Sequence, residues 1–512
     1  MDPPLVPSDP PTPADLHREK LAWARTRPGA PVPSNVAWVE GLPAAERAAR
    51  RGAPIRRPTR TLSGVAIVAV MTAPAPCPHG RCTYCPGGVA LGSPQSYTGE
   101  EPSALRGAQF GYDPRAITAH RLEALETIGH PTGKVEAIVM GGTFTARPVA
   151  YQRQVLHGIF DGVNGSRSAS LEAAQAANEA AARRLVSLTV ETRPDGVTPE
   201  NLGFLLASGV TRIEIGVECL RDPVLADVGR AHGLDAVRRA TRLARDFGVK
   251  LAYHMMPGLP GMTPERDAED LARLFDDPTL KPDMVKLYPT LVIAGTPLHD
   301  AWAAGAYRPY DTPTAVALLA RAKARFPPWV RVQRIQRDIP ARLIADGVRH
   351  GNLRELVHRR MASDGTRCRC LRCREVGRRA SPPPDRFEPI ARQYPVEGGT
   401  EHLLSWEDSA SDTIAAFLRL HVPDAPPEVG VPGPVIRELK ALGPELPVGA
   451  LAPASAYQHR GFGRRLLAAA ERVAAQAGYR RLWVTSAVGT RPYYRRFGYS
   501  ADGPHMAKPV FP

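Results

Sequence analysis

The chain has 512 residues, 43% of them hydrophobic and 23% charged, enough for two or three domains with cores of their own. A formal net charge of +15 and a pI near 9.7 point to a polyanionic partner, with nucleic acid the first candidate and a solvated basic surface the bland alternative. The seven cysteines stand as two tight triplets and a single residue, which argues against a disulfide framework and for metal binding in a reducing compartment. With no signal peptide and no apolar run of bilayer length, a soluble, cytoplasmic protein is expected.

Residues 1–13 hold six prolines and no apolar period and read as a disordered tail. Short helical patterns follow from Ala14 to Ala49. Arg51, Arg56, Arg57 and Arg60 then form a basic arm without acids, which either grips RNA phosphate or is a plain linker. Residues 14–60 are thus an N-terminal helical segment and arm. From residue 61 to 342, short β-branched runs alternate with helical ones. The strand-like runs are Val65–Val70, Val135–Met140, Leu185–Thr192, Arg212–Val217, Lys250–His254 and Met284–Tyr288. Six strand–helix units argue for an α/β fold, a parallel sheet curled into a partial (βα)6 barrel. Chemistry in such barrels gathers at the carboxyl ends of the strands.

Just after the first run, Cys77, Cys82 and Cys85 stand at C-x4-C-x2-C spacing in a Pro/Gly-rich loop. Cysteine thiolates are the usual ligands of iron–sulfur clusters. Three of them on a four-iron, four-sulfur (4Fe-4S) cluster leave one iron open to S-adenosylmethionine, the arrangement of radical SAM proteins. A structural zinc site completed by His79 is the competing reading. Gly141, Gly142 and Thr143 end the second strand, where glycines let a backbone approach a ligand; a similar turn in radical SAM proteins receives the SAM amino group. Glu191 and Arg193 end the third strand and are either cofactor contacts or a structural ion pair. Glu218 and Cys219 end the fourth, His254 the fifth, and Lys286 and Tyr288 the sixth. Cys219 reads as an inert buried thiol.

Arg331–Arg349 is strongly basic and includes Arg334 and Arg337. Cys368, Cys370 and Cys373 follow at C-x-C-x2-C spacing among six arginines from Arg367 to Arg379. Soft thiolates this close suit Zn2+, with His350 preferred over His358 as fourth ligand; a second iron–sulfur cluster is the other reading. Arg369 and Arg372 would suit an RNA backbone. Residues 343–385 therefore read as a cysteine-rich zinc linker ending at Ser381-Pro382-Pro383-Pro384.

From 386 to 512 the pattern becomes α+β. His402–Glu407 and Thr413–Leu420 read as an antiparallel pair and Val435–Lys440 as a further strand. Gln458-His459-Arg460-Gly461-Phe462-Gly463 opens an amphipathic helix, and a glycine-rich turn at a helix N-terminus is a pyrophosphate site. Strand Leu482–Ser486 and Tyr493-Tyr494 follow. That order resembles a GNAT acetyltransferase domain, whose Q/R-x-x-G-x-G/A turn cradles the coenzyme A pyrophosphate.

A radical SAM barrel, a cysteine knot and a GNAT domain in one chain resemble one family, the catalytic third subunit of Elongator in its stand-alone prokaryotic form. The resemblance covers roughly residues 54–508 through strings such as Cys77–Gly88, Ser96–Gly99, Met140–Phe144, His254–Gly261, Arg334–Pro340, Cys368–Gly377 and Gln458–Gly463. It implies a tRNA-modifying enzyme acting on carbon 5 of the wobble uridine. In the mechanism proposed for the family, a 5′-deoxyadenosyl radical abstracts hydrogen from the acetyl methyl of acetyl-CoA. The acetyl radical adds to the uracil ring, and thioester hydrolysis leaves 5-carboxymethyluridine. The implied cofactors are the 4Fe-4S cluster, S-adenosylmethionine, acetyl-CoA and Zn2+. The implied partners are the tRNA anticodon stem-loop and an electron donor, with no membrane; a homodimer is compatible. Lys134, Lys286, Tyr288 and Tyr494 are the catalytic candidates. Glu438 and Leu439, in the string Arg437-Glu438-Leu439, fall with the Gln458–Gly463 turn in the acetyl-CoA site. The chain departs from the family pattern at Lys440-Ala441-Leu442 (usually His-Val-Tyr), at Tyr457 (usually Trp), at Glu218-Cys219 (usually Gln-Ser) and at Ala231 (usually Gly). The competing functions are a protein lysine acetyltransferase with an idle barrel and a tRNA-binding module with decayed catalysis.

Overall fold

The computed structural model describes residues 13–33, 35–50, 61–378, 382–446, 451, 453 and 456–511. Residues 1–12 of the expected tail, Ser381, and Arg51, Arg56, Arg57 and Arg60 of the basic arm lie outside the described residues. Three short helices, Pro13–Arg25, Asn35–Glu40 and Ala44–Arg50, open the described chain.

The first sheet holds β1 (Ala66–Met71), β2 (Lys134–Met140), β3 (Arg184–Thr192), β4 (Arg212–Glu218), β5 (Lys250–Met255) and β6 (Met284–Leu287). β7 (Val292–Ile293) pairs separately with β9 (Ile344–Asp346), and the first sheet ends with β8 (Arg331–Arg334). The order is β1-β2-β3-β4-β5-β6-β8 with every pairing parallel. The six expected strands are thus joined by a short seventh, lying in the arginine-rich run that polar composition had kept from reading as a strand. Side chains alternate across a strand. On β4 the apolar set, Ile213, Ile215 and Val217, belongs to the hydrophobic core. The other set carries Arg212 and Glu214, both buried. Sequence order in space, with helices between parallel strands, curls the sheet.

The second sheet holds β10 (Glu388–Val396), β11 (Gly399–Asp408), β12 (Thr413–Pro423), β13 (Val435–Ala441), β14 (Arg481–Val484), β15 (Ser500–Asp502) and β16 (His505–Pro509). Its order is β10-β11-β12-β13-β14-β16-β15, antiparallel except for β13–β14. A parallel neighbour needs a crossover, and the helix Phe462–Gln476 supplies it.

The amino ends of the barrel strands meet the second sheet through buried charge. Arg437 on β13 donates to both carboxylate oxygens of Asp283 (2.7 and 2.6 Å) and lies 2.8 Å from Glu401. Arg419 on β12 donates to the carbonyl of Trp329 at 2.8 Å, and the Trp329 ring stacks on Tyr394 at 4.1 Å. No helix among the described residues is long and apolar enough to cross a membrane.

Candidate active site

The carboxyl ends of the barrel strands surround a cavity that is open to solvent. Cys77, Cys82, Cys85, Gly142, Thr143, Glu191, Arg193, His254, Tyr288, Arg334 and Arg337 all line it. Two segments that the sequence places apart therefore share one wall: the cysteine loop after β1 and the glycine turn after β2. Gly141 and Gly142 have φ of 128° and 100°. A Cβ on Gly142 would stand 3.8 Å from the Cys77 sulfur, and one on Gly141 would collide with the Thr72 hydroxyl. The turn thus needs both the conformational freedom and the lack of a side chain.

The three thiols have different surroundings. The Cys85 sulfur accepts from the Ser96 backbone N–H (3.2 Å) and the Gln95 amide (3.4 Å). Cys82 lies 3.2 Å from His79 Nε2 and 4.0 Å from Arg230 Nη1. Cys77 lies 3.8 Å from the Thr143 hydroxyl. Burial pushes the Cys77 and Cys82 thiols up, so a bound metal would have to displace their protons. Cys219 does not line the cavity. It sits 3.6 Å from Asp270 and is pushed up to about 12 by burial and by that carboxylate, as an inert thiol should be.

The charged floor differs from the simplest pairing. Arg193 donates to Asp195 (2.8 and 2.7 Å), not to Glu191. Glu191 instead accepts from the Tyr97 hydroxyl at 3.1 Å and the Lys286 ammonium at 3.4 Å. Lys286 also pairs with Glu214, which receives His254 Nε2 at 3.0 Å. The His254 ring meets Tyr288 edge-on at 5.6 Å. Tyr97 and Glu214 were not anticipated. Tyr97 sits inside a family string, but only folding brings its hydroxyl to Glu191, and Glu214 reads as a polar interruption of an apolar strand.

The second site lies at the other end of the barrel. β13 pairs with β14 only at Val435–Trp483 and Ile436–Val484, and the ladder with β12 shifts register beside Arg419. The strands then part, leaving the backbone from 437 to 441 open on that side. Glu438 stands there, its carboxyl held below the usual range by Lys250 and Arg419 against the opposing effect of burial. Leu439 is half-buried. Gly461, at φ 76°, caps the helix Phe462–Gln476 with open space where a Cβ would be. A Cβ on Gly463 would collide with the Tyr493 hydroxyl. Gln458 donates to the Ala441 carbonyl at 3.4 Å and accepts from the Lys134 ammonium at 2.7 Å. Arg460 donates to the carbonyls of Ala456 and Pro453 (3.1 and 2.7 Å), and His459 takes φ 61°. Tyr494 is buried beside Tyr493, its hydroxyl pushed up by burial. Lys134 therefore belongs to this seam and does not line the barrel cavity.

The second cysteine triplet bridges the two sheets. Leu371 N–H donates to Val330 and Val376 N–H to Ile414. The sulfurs of Cys368, Cys370 and Cys373 lie within 4.8 Å of one another. His358, not His350, reaches them, with Nε2 3.7 Å from Cys373. His358 lies on the helix Leu353–Ser363, while His350 sits in an exposed loop before it. Lys323 is fully buried with its ammonium 3.3 Å from Cys368. The arginines expected to hold RNA are in part engaged within the protein. Arg369 pairs with Asp412 (3.0 Å), Arg334 with Asp338 (2.5 Å), and Arg337 donates to the Ser96 carbonyl. Burial and the nearby Arg354 lower Arg372 to about 9.

Comparison with known proteins now bears on both ends of the barrel. The Radical SAM superfamily model matches residues 75–275, the Radical SAM C-terminal domain 282–363, and the Acetyltransferase (GNAT) family 371–499. The tRNA uridine(34) acetyltransferase of Methanocaldococcus jannaschii is 44% identical over 464 residues, 88% of this chain and 86% of that protein. Elongator complex protein 3 of Homo sapiens is 42% identical over 467 residues, 88% of this chain and 85% of that protein. This chain belongs to the Elongator complex protein 3 family. A solved relative, Elp3 of Methanocaldococcus infernus lacking residues 1–46, superposes with a TM-score of 0.78 at 40% identity over 88% of this chain and 100% of that one. The radical SAM match spans the strands whose carboxyl ends surround the cavity, and the GNAT match spans the parted β13–β14 strands. Radical SAM and GNAT domains imply use of S-adenosylmethionine with an iron–sulfur cluster and of acetyl-CoA.

Proposed function

We propose that this chain is a transferase that modifies the wobble uridine of tRNA, drawing the added carbons from acetyl-CoA and forming 5-carboxymethyluridine. The observation that carries the reading is that one barrel holds a cofactor cavity lined by three cysteines at its carboxyl end and an acyl-CoA-type wedge against its amino end. In this reading residues 1–13 are a tail, 14–60 an N-terminal helical segment and basic arm, 61–342 the barrel, 343–385 the metal linker and 386–512 the acyltransferase. Cys77, Cys82 and Cys85 fit a 4Fe-4S cluster because all three face one cavity beside Gly142, and N–H donors reach Cys85. When bound, the cluster and S-adenosylmethionine supply a 5′-deoxyadenosyl radical. The Gly141-Gly142-Thr143 turn would hold the SAM amino group, with Glu191, Arg193 and His254 on the same cavity wall. The Gly461 turn and helix N-terminus would hold the coenzyme A pyrophosphate, and Glu438, Leu439 and Tyr494 would hold the acyl end. Cys368, Cys370, Cys373 and His358 are a three-thiolate, one-imidazole set suited to Zn2+. Three thiolates and a dication leave one negative charge, which the buried Lys323 balances. tRNA is the polyanion that the net charge of +15 anticipates.

The test is mass spectrometry of wobble nucleosides after anaerobic incubation of reconstituted protein with SAM, reductant, acetyl-CoA and unmodified tRNA. The modified uridine is expected, and is lost in Cys82→Ala and in Gly461→Glu. Release of 5′-deoxyadenosine without modified uridine would overturn the acyl donor or the RNA substrate. Absence of both, with the cluster verified by spectroscopy, would leave a binding module.

A further inference from the structure

Behind the wall of the barrel cavity stands a file of buried charge that neither the cofactors nor the acyl donor account for. Lys440 of the acyltransferase sheet lies 3.8 Å from Glu136 on β2, Glu136 lies 2.6 Å from Arg212 on β4, and Arg212 lies 3.4 Å from Glu214. Glu214 ends the file, fully buried and outside the cavity lining, yet it holds at once His254, which lines the cavity, and Lys286, which is buried beside it. One of its oxygens receives both the Lys286 ammonium and His254 Nε2. Its other oxygen has no hydrogen-bond partner and faces Arg212.

The chemistry of that contact is restrictive. An ionised carboxylate only accepts, so His254 must donate Nε2–H to it, and in the neutral ring the lone pair is then on Nδ1. Lys286, between Glu214 and Glu191, faces two anions and is held as a donor. We infer that Glu214 is the positioning carboxylate of this active site: itself held by the Lys286 ammonium, it fixes His254, which lines the cavity, in its Nε2–H tautomer and leaves Nδ1 as the acceptor. Arg212 and Glu136 brace Glu214 from behind, so the residue is locked from the acyltransferase side of the barrel.

The inference rests on the wobble-uridine reading, and its test keeps the two apart. Glu214→Gln preserves size but has one oxygen, which cannot face Lys286 and His254 on one side and Arg212 on the other, and a misplaced group costs on the order of 10²-fold in rate. The expected loss of modified uridine is therefore about 10²-fold, with the affinity for tRNA, measured by fluorescence anisotropy, unchanged within about twofold and with an unchanged melting profile. The decisive measurement is a double-mutant cycle with His254→Ala. If Glu214 acts through His254, adding Glu214→Gln to His254→Ala costs only about twofold more. Multiplying losses would overturn the inference. Glu214→Asp, which keeps the carboxylate, should recover part of the rate lost in Glu214→Gln. No recovery counts against the inference. A wild-type enzyme that makes no modified uridine would instead sink the functional reading, and this inference with it.

Discussion

Arg437 is the residue on which the seam between the two sheets should depend most. It is 2% exposed, donates to both oxygens of Asp283 at 2.7 and 2.6 Å, and reaches Glu401 at 2.8 Å and the Val249 carbonyl at 3.2 Å. Arg437→Met keeps most of the volume and removes the charge. Asp283 would retain the Leu251 N–H at 2.9 Å and Arg419 at 3.6 Å, and Glu401 would retain His421 at 3.2 Å. Two carboxylates would then share too little positive charge in a dry interface. Breaking a buried ion pair from one side costs about 3–5 kcal/mol. At roughly 2–4 °C per kcal/mol for domains of this size, the melting transition should fall by on the order of 10 °C. Differential scanning calorimetry of wild type, Arg437→Met, Asp283→Asn and the double variant measures this. The double variant should be less damaged than the two losses combined, because it removes both members of the pair. A drop below about 1 kcal/mol in Arg437→Met, or full additivity in the double variant, would refute the assignment of the seam to this cluster.

Glu136 offers a pH test. Arg212 and Lys440 hold its carboxyl at about 2 against the usual 4.5, although burial opposes them. A depressed acid contributes stability that is present above the unfolded value and is lost as pH falls through the folded one. Between about pH 4.5 and 2 that amounts to roughly 3 kcal/mol, so denaturant titrations of Glu136→Gln should show a shallower acid decline than wild type. His358→Ala should weaken zinc retention at least about tenfold, judged from the 10–100-fold cost of lesser changes around metal ligands; His350→Ala should leave it unchanged, with metal content read by elemental analysis. Gly461→Ala should cost about 1 kcal/mol from the positive φ alone, while Gly461→Glu should raise the acetyl-CoA dissociation constant more than about tenfold by placing a carboxylate at the anion site, measured by calorimetry.

Local patterns made much of the chemistry legible in sequence. The two cysteine spacings, the glycine turns at Gly141-Gly142 and Gly461, and six β-branched runs are short-range features whose geometry follows from a few neighbouring residues. They sufficed for a barrel, a linker and an acyltransferase domain. Contacts between distant residues were not legible. His358 was passed over for His350 because only the packing of its helix brings the ring to Cys373. Arg369 read as a free basic residue, but Asp412, on the far side of the linker, takes its charge. β8 hid in an arginine-rich run because its partners in the barrel, not its own composition, make it a strand. The sequence by itself singled out the two cysteine triplets and the glycine turns as candidates for metal, cofactor and anion chemistry, since that rests on donor atoms and spacing. The tertiary structure alone decided which charges neutralise one another, because a buried ion pair is set by three-dimensional proximity in low dielectric and has no signature along the chain.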